Sequence, residues 1–479
     1  MLCSSFMNMT DIMITIIHEN EGMFNMDQVI IARMLAAMTL AFHIIFATVG
    51  VGVPIIMMIT EFLGIKNKDK HYLAMTRRIS KGYTVTVAVG VVTGTIIGLQ
   101  LSLLYPTFME MGGHVIALPL FMETFAFFFE AIFLSIYLYS FDRFKNLWTH
   151  WLLNIPIVLG STLSAVFITT VNSFMNTPQG FDVEGGKLVN VQPLEAMFNP
   201  SVPVRVLHVV FTAYMTVAFI MASIAAFKLI RNKFTEDRTY HKKGLKVALI
   251  TGIIFSVIAM FAGDLSAKFL HEHQPEKLAA MEWHFETESQ ADLVLFGMLD
   301  EDTQEVKGAL KIPGVLSFLA GNSFDTEVTG LNDIPKDEHP PFIIHYFFDF
   351  MVFFGMYCLG IAVVYMLIWK FKPKWVHNRL LLSLVVLTGP FAMLAIEAGW
   401  FLAEMGRQPW ILRGYLKVSE AATDAPGLIL TFGGFLLLYI ILGVSSVYVL
   451  TRMFKDKSAK AQMDELDDHT LLNDQKGAY

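Results

Sequence analysis

Two glutamates, Glu397 and Glu404, stand in a stretch that is otherwise apolar enough to lie in lipid. They are seven residues apart, about two helical turns, so both side chains should lie on one face of one helix. An ionisable residue in such a segment normally faces protein or a cavity and indicates a functional site. Glu404 precedes Gly406 and Pro409, so it could equally be an ordinary helix-end residue. Glu397 lies deeper and is the stronger candidate.

Two histidines, His43 and His208, lie well inside other apolar segments. A histidine in a membrane helix either ligates a metal or joins two helices through a hydrogen bond. Met351 should lie at the same depth as His208, and a His–Met pair is typical of a low-spin haem iron that transfers electrons. Because the chain contains 28 methionines, only this matched depth distinguishes Met351 from ordinary packing.

Another apolar segment carries Glu123 and Glu130, again seven residues apart, with four phenylalanines between them. The phenylalanines are typical of a lipid-facing surface, whereas the two carboxyl groups must face inward. A carboxylic acid buried in a membrane tends to be uncharged and can therefore pass protons. We expect Glu130, toward the cytoplasm, and Glu123, in the outer half, to lie on a proton path.

The composition indicates a polytopic membrane protein. Of 479 residues, 54% are hydrophobic and 16% charged, and the mean hydropathy of +0.54 is far too high for a soluble domain. Neither this composition nor the net charge of −7 predicts a nucleic-acid partner. The two cysteines, Cys3 and Cys358, cannot form a thiolate cluster, so a cofactor metal must use His, Met or carboxylate ligands.

Apolar segments of sufficient length predict an all-α bundle of about nine transmembrane helices. They lie near residues 29–64, 80–104, 117–141, 148–171, 204–230, 246–263, 343–369, 380–404 and 427–451. The predicted regions are an extension (1–25), helices one to six (26–263), an external loop (264–340), helices seven to nine (341–454) and a tail (455–479). We expect the extension to be loose and its translation to be optional, with Met26 as the natural start, and the polar tail to be disordered.

Basic residues alternate between successive loops and predict the orientation, because positively charged loops are cytoplasmic. The basic residues are Lys66, Lys68, Lys70, Arg77, Arg78 and Lys81 after the first helix, Arg143 and Lys145 after the third, those in 228–246 after the fifth, Lys370, Lys372 and Lys374 after the seventh, and Arg452, Lys455 and Lys457 after the ninth. Segment 105–116 has no Lys or Arg, and loop 264–340 is acidic. The N-terminus should therefore be outside and the C-terminus cytoplasmic.

Five stretches carry a resemblance to a known family: TLAFHIIFATVGVGVP, PLFMETFAFFFEAIF, TTVNSFMNTPQGF, EKLAAMEWHFET and IEAGWFLAEMGRQPW. From Met26 to about Phe454 the chain resembles subunit I of the cytochrome bd quinol oxidases, in the branch with a short external quinol loop. The resemblance implies two haems b, one haem d, and oxidation of menaquinol or ubiquinol with reduction of O2 to water. It also implies a bacterial cytoplasmic membrane and a homologous second subunit, and it allows a small single-helix subunit.

The resemblance also implies roles for individual residues. His208 and Met351 would ligate the low-spin haem b, whereas His43 and Glu397 would serve the two high-spin haems, without an assignment of either to haem b or haem d. Glu123 would lie beside them. The residues implied to contact the cofactors are Arg407, Trp400 and Asn172.

The external loop contains Lys277 and Glu282, which match residues implicated in quinol oxidation in the family. On sequence alone they would be a solvated charge pair. Many relatives have Arg two residues before the Met ligand, and this chain has Asp349 there. The sequence therefore does not predict which residue compensates the charge of the low-spin haem. We expect a lower reduction potential for this haem than in relatives with Arg.

The predicted depths imply a mechanism. Ligand candidates lie in the outer half and the quinol loop lies outside, so protons from quinol would be released outside. Protons for water must then rise from the cytoplasm, at a cost of roughly 2.3 kcal/mol per charge for each 100 mV. The reaction would thereby generate a membrane potential without a pump.

Three other functions are alternatives to this one. A haem-copper oxidase needs a cluster of histidines in its helices, and this chain offers too few. A quinone-coupled di-haem b protein could pair His43 with His208, but Glu397 and Glu123 would then have no role. A proton-coupled transporter could use the membrane glutamates, yet the sequence shows no inverted repeat with broken helices.

Overall fold

A computed structural model describes residues 27–231, 235–456 and 459–468; the expected extension over 1–25 lies outside the described residues. The helices are α1 (Gln28–Lys66), α2 (Lys70–Leu104), α3 (Pro106–Ser140), α4 (Leu147–Trp151), α5 (Asn154–Asn176), α6 (Pro193–Met197), α7 (Val202–Arg231), α8 (Thr235–His273), α9 (Pro275–Glu282), α10 (Val315–Gly321), α11 (Ile344–Phe371), α12 (Arg379–Met405), α13 (Val418–Ala421), α14 (Leu428–Asp456) and α15 (Ala459–Asp468). Among the described residues nine spans are long and apolar enough to cross a membrane, namely α1, α2, α3, α4 with α5, α7, α8, α11, α12 and α14. The predicted all-α architecture with nine spans is confirmed.

Several helices extend beyond their predicted ends. Helix α2 begins at Lys70 rather than at 80, α3 at Pro106 rather than at 117, and α8 covers Thr235–His273 rather than 246–263. Hydropathy detects only the apolar centre of a span, whereas the helical backbone continues into its polar flanks. The predicted loop over 105–116 is therefore almost entirely helical.

Four helices, α7, α8, α11 and α12, pack as a ring. Helix α7 packs along α8 and α12, and α11 packs along α12 and less extensively against α8. Their shared core contains Phe219, Ala222, Leu249 and Ala392, all of which are fully buried. Small residues at these contacts allow the backbones to approach closely, as is usual between membrane helices.

The remaining spans pack around α1. Helix α1 packs along α2 and α7, and α3 packs along α5. Gly52 makes the contact between α1 and α7 possible, since a Cβ atom there would lie 2.4 Å from a methyl carbon of Val217. This contact connects the first group of helices to the four-helix ring.

The segment between α8 and α11 is a folded layer rather than a plain loop. Its strands are β3 (Leu293–Leu295), β4 (Met298–Asp300), β5 (Glu305–Lys307) and β6 (Leu310–Ile312). The other strands of the described residues lie elsewhere in the chain and are β1 (Asp182–Glu184), β2 (Lys187–Val189), β7 (Trp410–Leu412) and β8 (Leu416–Lys417). Strand β3 pairs antiparallel with β6, and β4 pairs antiparallel with β5. Leu278, Leu316 and Leu331 form the core that joins this layer to α9.

The tail does not match its prediction over residues 459–468, which form α15 instead of a disordered end. Ala459, Met463 and Leu466 are buried and pack against a cluster that includes Ile65 and Leu147. Their spacing of four and three residues is a helical apolar stripe. The prediction missed this short stripe because the tail as a whole is polar in composition.

Candidate functional site

His43 lies on α1 with its ring against α2. Its Nδ1 atom is 2.8 Å from the hydroxyl oxygen of Thr93, and that hydroxyl donates its own proton to the carbonyl oxygen of Val89 at 2.9 Å. The Thr93 oxygen must therefore accept a proton from Nδ1, which leaves the lone pair on Nε2. Gly94 makes room for the ring, because a Cβ atom there would lie 3.2 Å from Cε1 of His43.

His208 on α7 has the same arrangement. Its Nδ1 atom lies 3.2 Å from the carbonyl oxygen of Ala259 on α8, and a carbonyl oxygen can only accept a hydrogen bond. Nε2 therefore again carries the lone pair. Gly263 lies next to this ring, with a Cβ position 3.5 Å from Cε1. Metal-ligating histidines characteristically donate their other ring N–H in this way.

Met351 lies on α11 and faces α12. A Cβ atom on Gly399 would lie 3.1 Å from the Met351 sulfur. Helices α7 and α11 each pack along α8 and α12 rather than along one another. His208 and Met351 thus come from two helices, α7 and α11, that lie diagonally across the ring from each other.

Glu397 on α12 has two carboxyl oxygens that are buried without a hydrogen-bond partner. Burying such a group without compensation is costly, so both oxygens point to a missing partner such as a metal ion or a proton. Glu404 differs, since its oxygens accept hydrogen bonds from Asn172 Nδ2 at 2.5 Å and from Arg407 Nη2 at 2.7 Å. It is also in the last turn of α12, as the helix-end interpretation requires.

Arg407 and Asn172 belong to one positively charged cluster. Asn172 Oδ1 accepts a hydrogen bond from Arg205 Nη1 at 3.1 Å. The Nε and Nη1 atoms of Arg407 are buried without a partner, so the guanidinium can still bind an anionic group. Trp400 is half-buried on α12, one turn beyond Glu397.

Lys277 and Glu282 on α9 are only 4% and 2% exposed, so the expectation of a solvated charge pair is wrong. Lys277 Nζ donates to the carbonyl oxygen of Ala403 at 3.2 Å. Burial, and then the positive charge of Arg205, hold the pKa of Lys277 well below its ordinary value. Burial, and then the negative charge of Asp349, raise the pKa of Glu282 well above its ordinary value.

Asp349 is held by the folded layer between α8 and α11. Its carboxylate accepts the backbone N–H of Phe296 at 2.6 Å and lies 3.2 Å from Nε2 of His345, one helical turn earlier. His345 donates through Nδ1 to the carbonyl oxygen of Met281 at 2.8 Å. Asp349 therefore links α11 to the layer between α8 and α11 through the backbone of Phe296.

Glu123 and Glu130 both turn away from the lipid-exposed phenylalanines of α3. Glu123 accepts a hydrogen bond from Ser164 on α5 at 2.9 Å, and Glu130 accepts one from the Tyr83 hydroxyl on α2. Glu130 is 4% exposed, whereas Phe121, Phe125 and Phe128 are each more than half exposed. The inward orientation expected for both carboxyl groups is present.

Sequence reasoning overlooked one buried acid and two buried histidines. Glu61 is 1% exposed near the end of α1, and His150 and His345 are fully buried close to helix ends. Only His43 and His208 were identified as membrane histidines, because they lie well inside predicted spans, whereas His150 and His345 lie near helix ends. A glutamate within the apolar run IIMMITEFLGI was the available signal.

Comparisons with known proteins identify the family of the chain. The sequence model of the family described as cytochrome bd terminal oxidase subunit I matches residues 31–458. A Bacillus subtilis (strain 168) protein named as a cytochrome bd menaquinol oxidase subunit I is 43% identical over 432 residues, which cover 90% of this chain and 97% of the relative. The cytochrome bd ubiquinol oxidase subunit 1 of the same organism is 29% identical over 444 residues, covering 90% and 94%.

A solved structure gives the same result at the level of the fold. A chain of the bd oxidase from Geobacillus thermodenitrificans matches with a TM-score of 0.87 and 56% identity, covering 91% of this chain and all of that chain. The chain therefore belongs to the cytochrome bd terminal oxidase subunit I family, the haem-containing quinol oxidase subunit that works in the membrane with a second subunit.

Proposed function

We propose that the chain oxidises quinol at the outer face of the bacterial cytoplasmic membrane and delivers the electrons to three haems, where O2 is reduced to water. The protons for water come from the cytoplasm, so a membrane potential develops without a pump. The observation that supports this most directly is the set of unused donor atoms. His43 and His208 each keep a lone pair on Nε2, and Glu397 has two unpartnered oxygens.

His208 and Met351 would hold the low-spin haem b, and His43 and Glu397 would serve the high-spin haem b and haem d. When bound, the haems supply the electron transfer and the oxygen chemistry. The chain orients the ligands: Thr93 and the Ala259 carbonyl fix the imidazole tautomers. Glycines on the neighbouring helices let the two imidazoles and the Met351 sulfur pack close to the helix backbone, which fixes their positions.

The positive cluster would bind the carboxylates that every haem carries. Arg407 has two buried nitrogen atoms without a partner, and Arg205 and Asn172 lie next to it. Trp400 would contact the ring system from α12. Glu404 is an alternative to Glu397 as an iron ligand, because Asn172 and Arg407 could bind a haem carboxylate instead of Glu404.

Quinol oxidation would take place beside α9, where Lys277 and Glu282 are buried. The two quinol hydroxyl groups must lose their protons as the electrons leave. A Glu282 carboxylate can accept one, and its Oε2 atom has no partner in the protein. The basic loops lie at the other end of the helices, which supports an external position for this layer, an external N-terminus and a cytoplasmic C-terminus.

Protons would ascend through Glu130 and then Glu123. Their partners, Tyr83 and Ser164, carry hydroxyl groups that can both accept and donate. The relative with 43% identity is named for menaquinol, which favours menaquinol over ubiquinol as the substrate. A small single-helix subunit would complete the assembly.

A reduced-minus-oxidised spectrum of the purified oxidase, with and without carbon monoxide, tests the haem content. The proposal requires one low-spin haem b, one high-spin haem b and a chlorin band in the far red. A spectrum without haem bands would instead indicate a transporter. Haem b bands without the chlorin would indicate a di-haem electron-transfer protein.

A further inference from the structure

Glu61 receives hydrogen bonds from three different elements although it is almost completely buried. Oε1 lies 2.5 Å from His150 Nδ1 on α4, and Oε2 accepts from the Tyr137 hydroxyl on α3 at 2.8 Å and from Asn154 Nδ2 on α5 at 2.6 Å. The His150 ring is itself fully buried. Neither the haem ligands nor the expected proton path uses this group.

The geometry determines which proton can move. His150 Nε2 lies 3.0 Å from the Tyr137 carbonyl oxygen, which only accepts, so Nε2 carries a hydrogen atom. A single proton is then shared between Nδ1 of His150 and Oε1 of Glu61. The pair exists either as imidazolium and carboxylate or as imidazole and carboxylic acid, and it converts between them without moving a heavy atom.

The position of this pair is as informative as its chemistry. Glu61 lies five residues before the end of α1, about 8 Å along the axis, at the end of the bundle that carries the basic loops. Tyr137 follows Glu130 on α3 by seven residues, as Glu130 follows Glu123. These three side chains therefore form one stripe on α3 with steps of about 10 Å, a distance that one or two waters can bridge.

Each member of the stripe has a protonatable partner on another helix. Glu123 is bonded to Ser164, Glu130 to Tyr83, and Tyr137 to Glu61. The nearest cation, Arg77, lies over the Phe141 ring at 4.4 Å and is paired with Asp142. Glu61, His150 and Tyr137 are thus the part of these contacts that lies closest to the basic loops.

We propose that Glu61, His150 and Tyr137 form the cytoplasmic intake of the proton path, an inference that rests on the proposed function. A proton from the cytoplasm is added to the shared pair, which becomes imidazolium and carboxylic acid, with the proton of the acid on the Oε2 atom of Glu61 that faces Tyr137. Glu61 then passes a proton to the Tyr137 hydroxyl oxygen as that hydroxyl releases its own through water toward Glu130. No bond other than O–H and N–H changes, and nothing is oxidised or reduced.

The variant Glu61→Gln tests this directly in the complete oxidase. The new amide can donate to His150 Nδ1, and its oxygen can still accept from Tyr137 and Asn154, so the contacts between the helices persist. We expect normal haem spectra. In flash-driven single turnover in proteoliposomes, the membrane-potential phase should slow by about 100-fold or more, the size typical of lost acid–base transfer. Glu61→Asp, which keeps a titratable carboxyl group, should recover part of the rate.

Tyr137→Phe provides a second, milder test, because it removes one hydroxyl and preserves the ring. Its matched control is Tyr139→Phe on the same helix, whose side chain is 80% exposed and should have no effect. A normal potential phase in both Glu61→Gln and Tyr137→Phe would overturn the proposal. So would loss of haem with normal charge movement in the surviving enzyme, since Glu61 would then only connect helices.

Glu130→Gln separates this inference from the function on which it rests. A slow phase in Glu61→Gln together with a normal phase in Glu130→Gln would retain the intake and remove Glu130 from the path. Normal phases in both variants would overturn the intake and the path through Glu130 together. The haem spectrum tests the rest of the proposed function independently.

Discussion

The Nδ1 atom of His43 lies 2.8 Å from the hydroxyl oxygen of Thr93, and this contact favours the tautomer in which Nε2 is free to bind a metal. Because the Thr93 proton is used by the Val89 carbonyl, Nδ1 must donate and Nε2 is left with the lone pair. A neighbour that fixes the tautomer of a ligand is generally worth 10- to 100-fold in metal affinity, as an order of magnitude.

Replacing this hydroxyl tests whether His43 is a haem ligand. Thr93→Val keeps the shape of the side chain but removes the acceptor, so we expect about 10-fold or greater loss of one high-spin haem. The carbon monoxide difference spectrum of the purified oxidase measures it. Thr95→Val on the same helix is the control, since Thr95 is exposed and bonds only to its own helix. Equal haem content in the two variants would remove His43 from the ligand set.

The low-spin site should fail when either axial ligand is removed. His208→Ala or Met351→Leu should abolish the low-spin haem b signal, because a hexacoordinate iron has no spare protein ligand. Met356→Leu on the same helix is the control, because this side chain is half exposed. A normal low-spin spectrum in Met351→Leu would show that the ligand assignment is wrong.

The sequence was sufficient for the nine-span bundle, and particular residues show why it failed elsewhere. Apolar runs define span centres, so His43, His208 and Glu397 were found there. Glu61 and His150 lie near helix ends, where polar residues are common and their burial depends on packing from other helices. Lys277 and Glu282 were expected to be solvated because burial by the folded external layer comes from contacts distant in sequence.

Glu397 and Glu404 can be separated by equivalent substitutions. We expect Glu397→Gln to lose one high-spin haem, since its two oxygens have no other partner. Glu404→Gln should retain that haem, because the amide oxygen still accepts from Asn172 or Arg407. Haem content and the carbon monoxide spectrum measure both. The reverse pattern would assign the iron ligand to Glu404.

Lys277 and Glu282 should affect only the entry of electrons from quinol. Replacing either should depress quinol oxidation, whereas an artificial donor that reduces the haems directly should still support O2 consumption. Equal loss with both donors would place these residues elsewhere in the mechanism.

The pH dependence of quinol oxidation should report Glu282. Burial raises its pKa well above the ordinary value, so at a given pH less of it is ionised than of an exposed glutamate. Only the carboxylate accepts a proton, so turnover should rise as pH increases through the raised pKa and fall as pH decreases through it. Glu282→Gln should abolish this acidic limb. A limb that is unchanged in the variant belongs to another group.

Glu130→Gln tests the proton path itself. The amide oxygen still accepts the Tyr83 hydroxyl, so the side chain keeps its volume and its hydrogen bond but cannot release a proton. The haems should therefore assemble, while oxygen reduction stops before water forms. Flash-driven single turnover in proteoliposomes should show electron transfer with the membrane-potential phase missing or delayed.

Glu110→Gln is the matched control for that experiment, because Glu110 is on the same helix but its side chain is 72% exposed and pairs with Lys187. If Glu130 only supported helix packing, Glu130→Gln would lose haem, and the surviving enzyme would move charge normally. A path through Glu130 predicts the opposite combination, full haem content with delayed charge movement. Normal haem content together with a potential phase as fast as in Glu110→Gln would exclude Glu130 from proton transfer.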